Sequence, residues 1–172
     1  LSLSTAESCT GGMIAQRITS VSGASEVFGY GFVTYWAEAK TRLVGVQPEV
    51  IERYNVVSAP VAAQMALGAA QASGSDIAVS VTGLAGPGGG DAVRPVGTVY
   101  LGAARGGTVY VQKLFVSRPD RALVRARAAQ AALTLALRLA QGKVPAHTKP
   151  LAAAQQQDEA ALAALNEAFL AE

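Results

Sequence analysis

A change of period near the start of the chain constrains its fold more than any other feature. Leu1 to Ala6 alternates apolar and small polar residues, whereas Met13, Ile14, Ile18 and Val21 recur at helical spacing, so a strand must give way to a helix within a few residues. The junction reads Thr5-Ala6-Glu7-Ser8-Cys9-Thr10-Gly11-Gly12, a turn crowded with a hydroxyl, a thiol and two glycines. Such a turn can set a nucleophile or an anion beside the unpaired N–H groups of a helix start, and it equally suits tight packing of a βα unit.

The same alternation of periods continues along the chain. Gly29 to Tyr35 reads as a second strand, and Ala37 to Val44 as a short helix closed by Gly45, with Pro48 opening another helical turn. Ser58-Ala59-Pro60 is a helix-start signal, and the helix runs to Ala72 with Val61, Met65 and Leu67 or Ala69 on one side. Ile77 to Val81 is a buried strand that delivers a second glycine-rich loop, Thr82 to Gly90. Gly97 to Ala104 and Thr108 to Val116 form a hairpin across Arg105-Gly106-Gly107, so part of the sheet is antiparallel. Ser117, Pro119 and Asp120 then start a helix through Leu139, with Gly142 as its cap. Leu123, Val124, Leu133, Leu135 and Leu137 are expected to cover the sheet. The order of elements predicts an α/β layer structure.

From Lys143 the composition changes. Pro145, His147 and Pro150 read as a linker, and Leu162, Leu165 and Phe169 as an apolar stripe on a short terminal helix. Residues 1–142 are thus expected to form one domain, with 143–172 as a linker and an amphipathic helix that docks on the core or on a neighbouring subunit.

Composition narrows the chemistry. One cysteine, Cys9, and one histidine, His147, cannot assemble a zinc cluster or a disulfide framework within one chain, and they point to a reducing compartment. No apolar run reaches the length of a membrane span, and no secretory pattern opens the chain, so a cytoplasmic protein without a membrane partner is expected. Leu1 already lies in a strand-like segment and is not methionine, so residues upstream of it are expected. Residues 1–150 hold all 14 Lys and Arg, whereas 151–172 hold four acids and no base. Aromatic residues are too scattered for the stacking surfaces of single-strand binders, so no nucleic-acid partner is expected.

Four runs in order carry a family resemblance: Thr5 to Gly12, Gly31-Phe32-Val33-Thr34-Tyr35, Gly83-Leu84-Ala85-Gly86-Pro87 and Pro95-Val96-Gly97-Thr98-Val99. Together they resemble the C-terminal domain of competence-damage-inducible protein CinA, over roughly residues 1–142. The family includes the nicotinamide mononucleotide amidase. The resemblance implies a three-layer α/β/α domain with a mixed, partly antiparallel sheet. It also implies hydrolysis of nicotinamide mononucleotide to nicotinic acid mononucleotide and ammonia in pyridine nucleotide salvage, with no metal or cofactor. A homo-oligomer acting on this small-molecule substrate is expected. The alternative is a weak or inactive nucleotide-binding module of a larger CinA-like protein.

The resemblance assigns Ser8 as nucleophile. Amide hydrolysis also needs a group that takes and returns a proton, and donors for the oxyanion. Because the lone histidine lies in the tail, a lysine or tyrosine must serve as base. Lys40, near a helix start and partly removed from water, fits that need, and Tyr35 could relay the proton or fix Lys40. Cys9 is the rival nucleophile.

Substrate contacts are expected from Thr10, Gly11, Gly12, Thr82, Gly83, Ala85 and Gly86, whose loops allow close backbone approach. Glu7 could orient Lys40 or a substrate hydroxyl, or cap the helix. Arg121 and Arg125, one helical turn apart, are expected to hold the phosphate. Trp36-Ala37 departs from the family pattern of Ser-Asn after the tyrosine and removes two hydrogen-bonding side chains.

Overall fold

A computed structural model describes Leu1–Glu172 and shows one mixed sheet between two helical layers. The strands are β1 (Leu3–Glu7), β2 (Phe28–Val33), β3 (Ile77–Gly83), β4 (Thr98–Arg105), β5 (Thr108–Phe115) and β6 (Lys149–Ala152). The helices are α1 (Met13–Thr19), α2 (Ala37–Val44), α3 (Pro48–Tyr54), α4 (Ala59–Ser73), α5 (Arg121–Ala140) and α6 (Glu159–Leu170). Strand order is β2-β1-β3-β4-β5-β6; β2, β1 and β3 run parallel and the remaining pairs are antiparallel.

Local chemistry sets the helix ends. Ser58 accepts the N–H of Val61 at the start of α4, and Asp120 accepts that of Leu123 at the start of α5. Gly45 and Gly74 close α2 and α4 in the left-handed conformation, at φ 69° and 68°. Gly142 follows α5 at φ 70° and donates to the Leu139 carbonyl.

Small side chains let α4 lie close on the sheet. Ser80 Oγ donates to the Ala62 carbonyl at 2.6 Å, and a Cβ on Gly102 would come within 2.6 Å of that same oxygen. Ten of the 15 residues of α4 are buried. The helix is therefore enclosed on more than the single side that its periodicity predicts. One core joins α4 to α2, α3 and α6, and the other joins α1 and α5 to the opposite sheet face.

Three expectations need correction. Val21 lies beyond α1 and is exposed, because the helix stops at Thr19. On α5, Val124 and Leu135 are buried as expected, but Leu137 is exposed and Leu123 partly so; Ala128, Ala129, Ala132 and Leu139 complete the covering face. The segment read as a linker contains β6, which pairs with β5 from Thr108↔Ala152 to Val111↔Lys149.

The terminal helix docks on its own chain. Leu162, Leu165 and Phe169 are buried in the α4 core, and Phe169 meets the Tyr100 ring edge-on, centroids 5.8 Å apart. Phe169→Ala is expected to lower unfolding stability by about 3 kcal/mol, read as a lower urea midpoint with the slope retained. An unchanged midpoint would show that this packing contributes nothing.

Candidate active site

The C-terminal ends of β1, β2 and β3 share one rim of the sheet. From β1 the chain returns as β2 on one side and, after three helices, as β3 on the other, so β1 is a topological switch point. Ligand crevices of open α/β sheets form at such points. Ser8 follows β1 directly, and its N–H donates to the Val81 carbonyl at 3.0 Å; Thr34 follows β2, its N–H donating to the Glu7 carbonyl at 2.8 Å. These two bonds extend the ladder past the strands and hold both residues rigidly.

Lys40 reaches this rim from α2. It is fully buried, and Nζ lies 2.9 Å from Ser8 Oγ and 2.6 Å from the Thr34 carbonyl. No carboxylate pairs with it. Burial lowers its pKa from 10.5 to about 8. A thiolate at Cys9 would push it back up, but that thiol is protonated in the same pH range. The Thr34 carbonyl can only accept, so Lys40 always donates there. Once the amine is neutral its lone pair is free, and Ser8 O–H can turn to donate to Nζ.

Cys9 sits beside this pair without sharing its chemistry. Burial raises its pKa from 9.0 to about 11, against the opposing effects of its own backbone N–H and of Arg125, Lys40 and Arg121. At pH 8 the thiolate is then roughly one part in a thousand. Iodoacetamide is therefore expected to modify Cys9 at least about a hundredfold more slowly in the native protein than in the urea-unfolded chain. Comparable rates would contradict this burial.

Two arginines of α5 tie the loops together. Arg125 Nε donates to the Cys9 carbonyl at 3.0 Å and Nη2 to the Thr10 carbonyl at 3.1 Å. Arg121 Nη1 donates to the Gly86 carbonyl at 2.8 Å and Nη2 to Tyr35 Oη at 3.0 Å. Arg121 thereby joins the second glycine loop to the tyrosine. Tyr35 itself is two residues past β2 rather than at its end, and it is half exposed.

Gly11 and Gly12 have φ of 56° and 101°, a conformation that disfavours any side chain. The N–H groups of Thr10 and Gly12 donate to no protein atom, and Thr10 Oγ1 is buried without a partner. Gly86 is also left-handed, at φ 85°, and Ala85 is buried. At Gly83 a Cβ would lie 2.8 Å from a Val99 methyl and 3.2 Å from Cys9 Sγ, so this glycine lets the two loops pack.

Two residues expected at the substrate bond elsewhere. The Glu7 carboxylate accepts the N–H groups of Ile14 at 2.8 Å and Ala15 at 3.0 Å, capping α1 rather than orienting Lys40. Those N–H groups are accordingly not available to a ligand, contrary to the expectation for this helix start. The Thr82 hydroxyl donates to the Val56 carbonyl at 2.8 Å. Trp36 stands at the N-cap of α2 with no side-chain cap bond and is 75% exposed. Its indole therefore does not stand in for the hydrogen-bonding Ser-Asn pair of the family pattern.

The site is thus a buried serine within hydrogen-bond distance of a buried lysine at the switch point of an α/β sheet, and similarity to known proteins makes the family explicit. The CinA C-terminal domain family matches residues 1–140, and this chain belongs to it. A CinA-like protein of Akkermansia muciniphila is 52% identical over 134 residues, covering 77% of this chain and 32% of that protein. The nicotinamide-nucleotide amidohydrolase PncC of Enterobacter agglomerans is 51% identical over 134 residues, 77% of this chain and 81% of that protein. The crystal structure of competence/damage inducible protein CihA from Agrobacterium tumefaciens superposes with a TM-score of 0.80 at 44% identity, covering 82% of this chain and 86% of that one. This chain spans about a third of the length of the CinA-like relatives that it matches.

Proposed function

We propose that this chain is an amidase that hydrolyses the carboxamide of nicotinamide mononucleotide, with Ser8 as nucleophile and Lys40 as proton carrier. The observation that carries the reading is the buried Lys40 Nζ, 2.9 Å from Ser8 Oγ and without a carboxylate partner. A permanently charged lysine would be costly there, whereas a lysine that changes protonation state during a reaction is useful there. The named activity of the PncC relative supports the substrate class.

In the proposed reaction Ser8 O–H passes its proton to Lys40 as Oγ bonds to the carboxamide carbon. The resulting oxyanion is met by the N–H groups of Thr10 and Gly12, which have no other acceptor. Lys40 then gives the proton to the amide nitrogen, the C–N bond breaks, and ammonia leaves an ester on Ser8. Water attacks that ester while Lys40 takes its proton, and return of the proton to Oγ frees the acid. Arg121 and Arg125 each use two of five guanidinium N–H groups within the protein, so three on each are left for the substrate phosphate.

Tyr35 is held by Arg121 and bonds to neither Lys40 nor Ser8, so its part is to line the rim beside the arginines proposed for the phosphate. Thr10, Gly11, Gly12, Gly83, Ala85 and Gly86 contribute main-chain contacts to the substrate. Incubation with nicotinamide mononucleotide, followed by chromatography for nicotinic acid mononucleotide and an ammonia assay, tests the reading. Absence of both products at enzyme-stoichiometric sensitivity would reject it.

A further inference from the structure

The two edges of the sheet are protected to different degrees. At one edge β6 offers four residues, among them the charged Lys149, which pairs with Glu172 at 2.8 Å, and Pro150, which lacks an N–H. Both devices oppose edge-to-edge association. At the other edge β2 reads Phe28-Gly29-Tyr30-Gly31-Phe32-Val33 and pairs only with β1. From Val27 to Ala37 the chain carries no charge and no proline. Tyr30 is 57% and Val33 50% exposed, and Tyr35 and Trp36 extend the apolar surface toward the candidate active site.

We propose that β2 pairs with β2 of a second copy in an antiparallel, two-fold ladder centred on Phe32, joining two sheets into one. The phase of the ladder selects this register. Thr34 N–H and the Phe32 position serve β1, since Thr34 donates to Glu7 and Glu7 lies opposite Val33. Gly31 and Val33 therefore turn their N–H and C=O groups outward. Centring the axis on Phe32 sets Gly31 opposite the partner's Val33, and the converse, so both outward residues exchange both of their hydrogen bonds.

The side chains are self-complementary in the same register. Phe32 faces the partner's Phe32, and Tyr30, stacked on Phe32 in its own strand with centroids 6.4 Å apart, extends that aromatic cluster. Tyr35 falls opposite the partner's Gly29, where no side chain obstructs its ring. A two-fold contact needs one patch to be complementary to itself, and this segment is. Its three exposed aromatic rings, Val33 and the glycine backbone supply about 500 Å² per copy, or about 1,000 Å² in all, enough for a specific small interface. The partner would also cover the exposed side of Tyr35.

Sedimentation equilibrium tests the assembly and thiol cross-linking tests the register. The parent protein is expected to be dimeric at micromolar concentration, and Tyr30→Lys to raise the dimer dissociation constant at least about tenfold while keeping its circular dichroism. Phe32→Cys is expected to oxidise to a covalent dimer, because facing residues in such a ladder lie within disulfide reach. Tyr30→Cys is expected not to, since the two copies of residue 30 are four residues out of register. A monomeric parent, a folded Tyr30→Lys dimer of undiminished affinity, or cross-linking through residue 30 in place of 32 would each overturn the proposal. If Tyr30→Lys does not fold, the cross-linking pair decides.

Discussion

Ser8→Ala is expected to lower the rate of carboxamide hydrolysis by about three to six powers of ten, the range seen when a nucleophile is removed from a preorganised site. Cys9→Ala is expected to keep most of the rate. The contrast follows from the two neighbours' surroundings. Ser8 Oγ lies 2.9 Å from an amine whose pKa is about 8, so a base is at hand near neutral pH. Cys9 is 6% exposed with a pKa of about 11, so its nucleophilic form is scarce and enclosed. Both substitutions shorten small side chains, and native circular dichroism for each variant makes the rates comparable. Single-turnover assays with nicotinamide mononucleotide give the measurement. A Ser8→Ala protein that releases ammonia at the parent rate, beside an inert Cys9→Ala protein, would move the role to the thiol.

Much of this arrangement was legible in sequence because it is written in local chemistry. The order of strands and helices, the hairpin at Arg105-Gly106-Gly107 and the caps at Ser58 and Gly45 all follow from residue types within a turn of one another. What was not legible depends on partners distant in sequence. β6 contains Lys149 and Pro150 and reads as a linker; it is a strand because β5 offers it an edge. Leu137 is apolar but stands two residues from both Leu135 and Leu139, which places it on the opposite side of α5, and it is exposed; its apolar character, not its spacing, made it read as part of the covering face.

The candidate site divides in the same way. Ser8 and Lys40 could be nominated from the motif and from the chemistry that an amide demands. The Thr34 carbonyl, the second partner of Lys40, carries no side-chain signal and emerges only from the fold. For Glu7 the sequence leaves a substrate-facing and a capping role open, and its bonds to the N–H groups of Ile14 and Ala15 select the cap; the Thr82 hydroxyl, on a loop read as approaching the substrate, bonds to the Val56 carbonyl. Arg121 and Arg125 have the predicted common face. Their observed bonds are to loop carbonyls and Tyr35, which a one-turn spacing cannot foretell.

Lys40→Met is expected to abolish hydrolysis nearly as completely as Ser8→Ala, and the double variant to be little worse than either, because serine and lysine act as one unit. In the parent, kcat/KM should rise with pH through about 8 as Lys40 loses its proton. The same titration appears in stability. Below pH 8 both folded and unfolded chains hold the lysine proton, and the fold bears the cost of a buried charge. Above about 8 the folded protein sheds a proton that the unfolded chain keeps up to its ordinary value of 10.5, so raising the pH favours the fold. Cys9 has the opposite sign, since between 9.0 and about 11 the folded thiol keeps a proton that the unfolded one has lost. Stability from this pair should therefore climb from about pH 8 to 9, by about 1 kcal/mol, and then level off as the two effects cancel. Cys9→Ala should extend the climb toward pH 10.5, while Lys40→Met should remove it and leave only the decline above 9. Urea midpoints measured across this range distinguish the three proteins. A parent and a Lys40→Met variant with the same slope between pH 8 and 9 would mean that Lys40 is not held near neutrality by its burial, and the proton transfer from Ser8 would lose its physical basis.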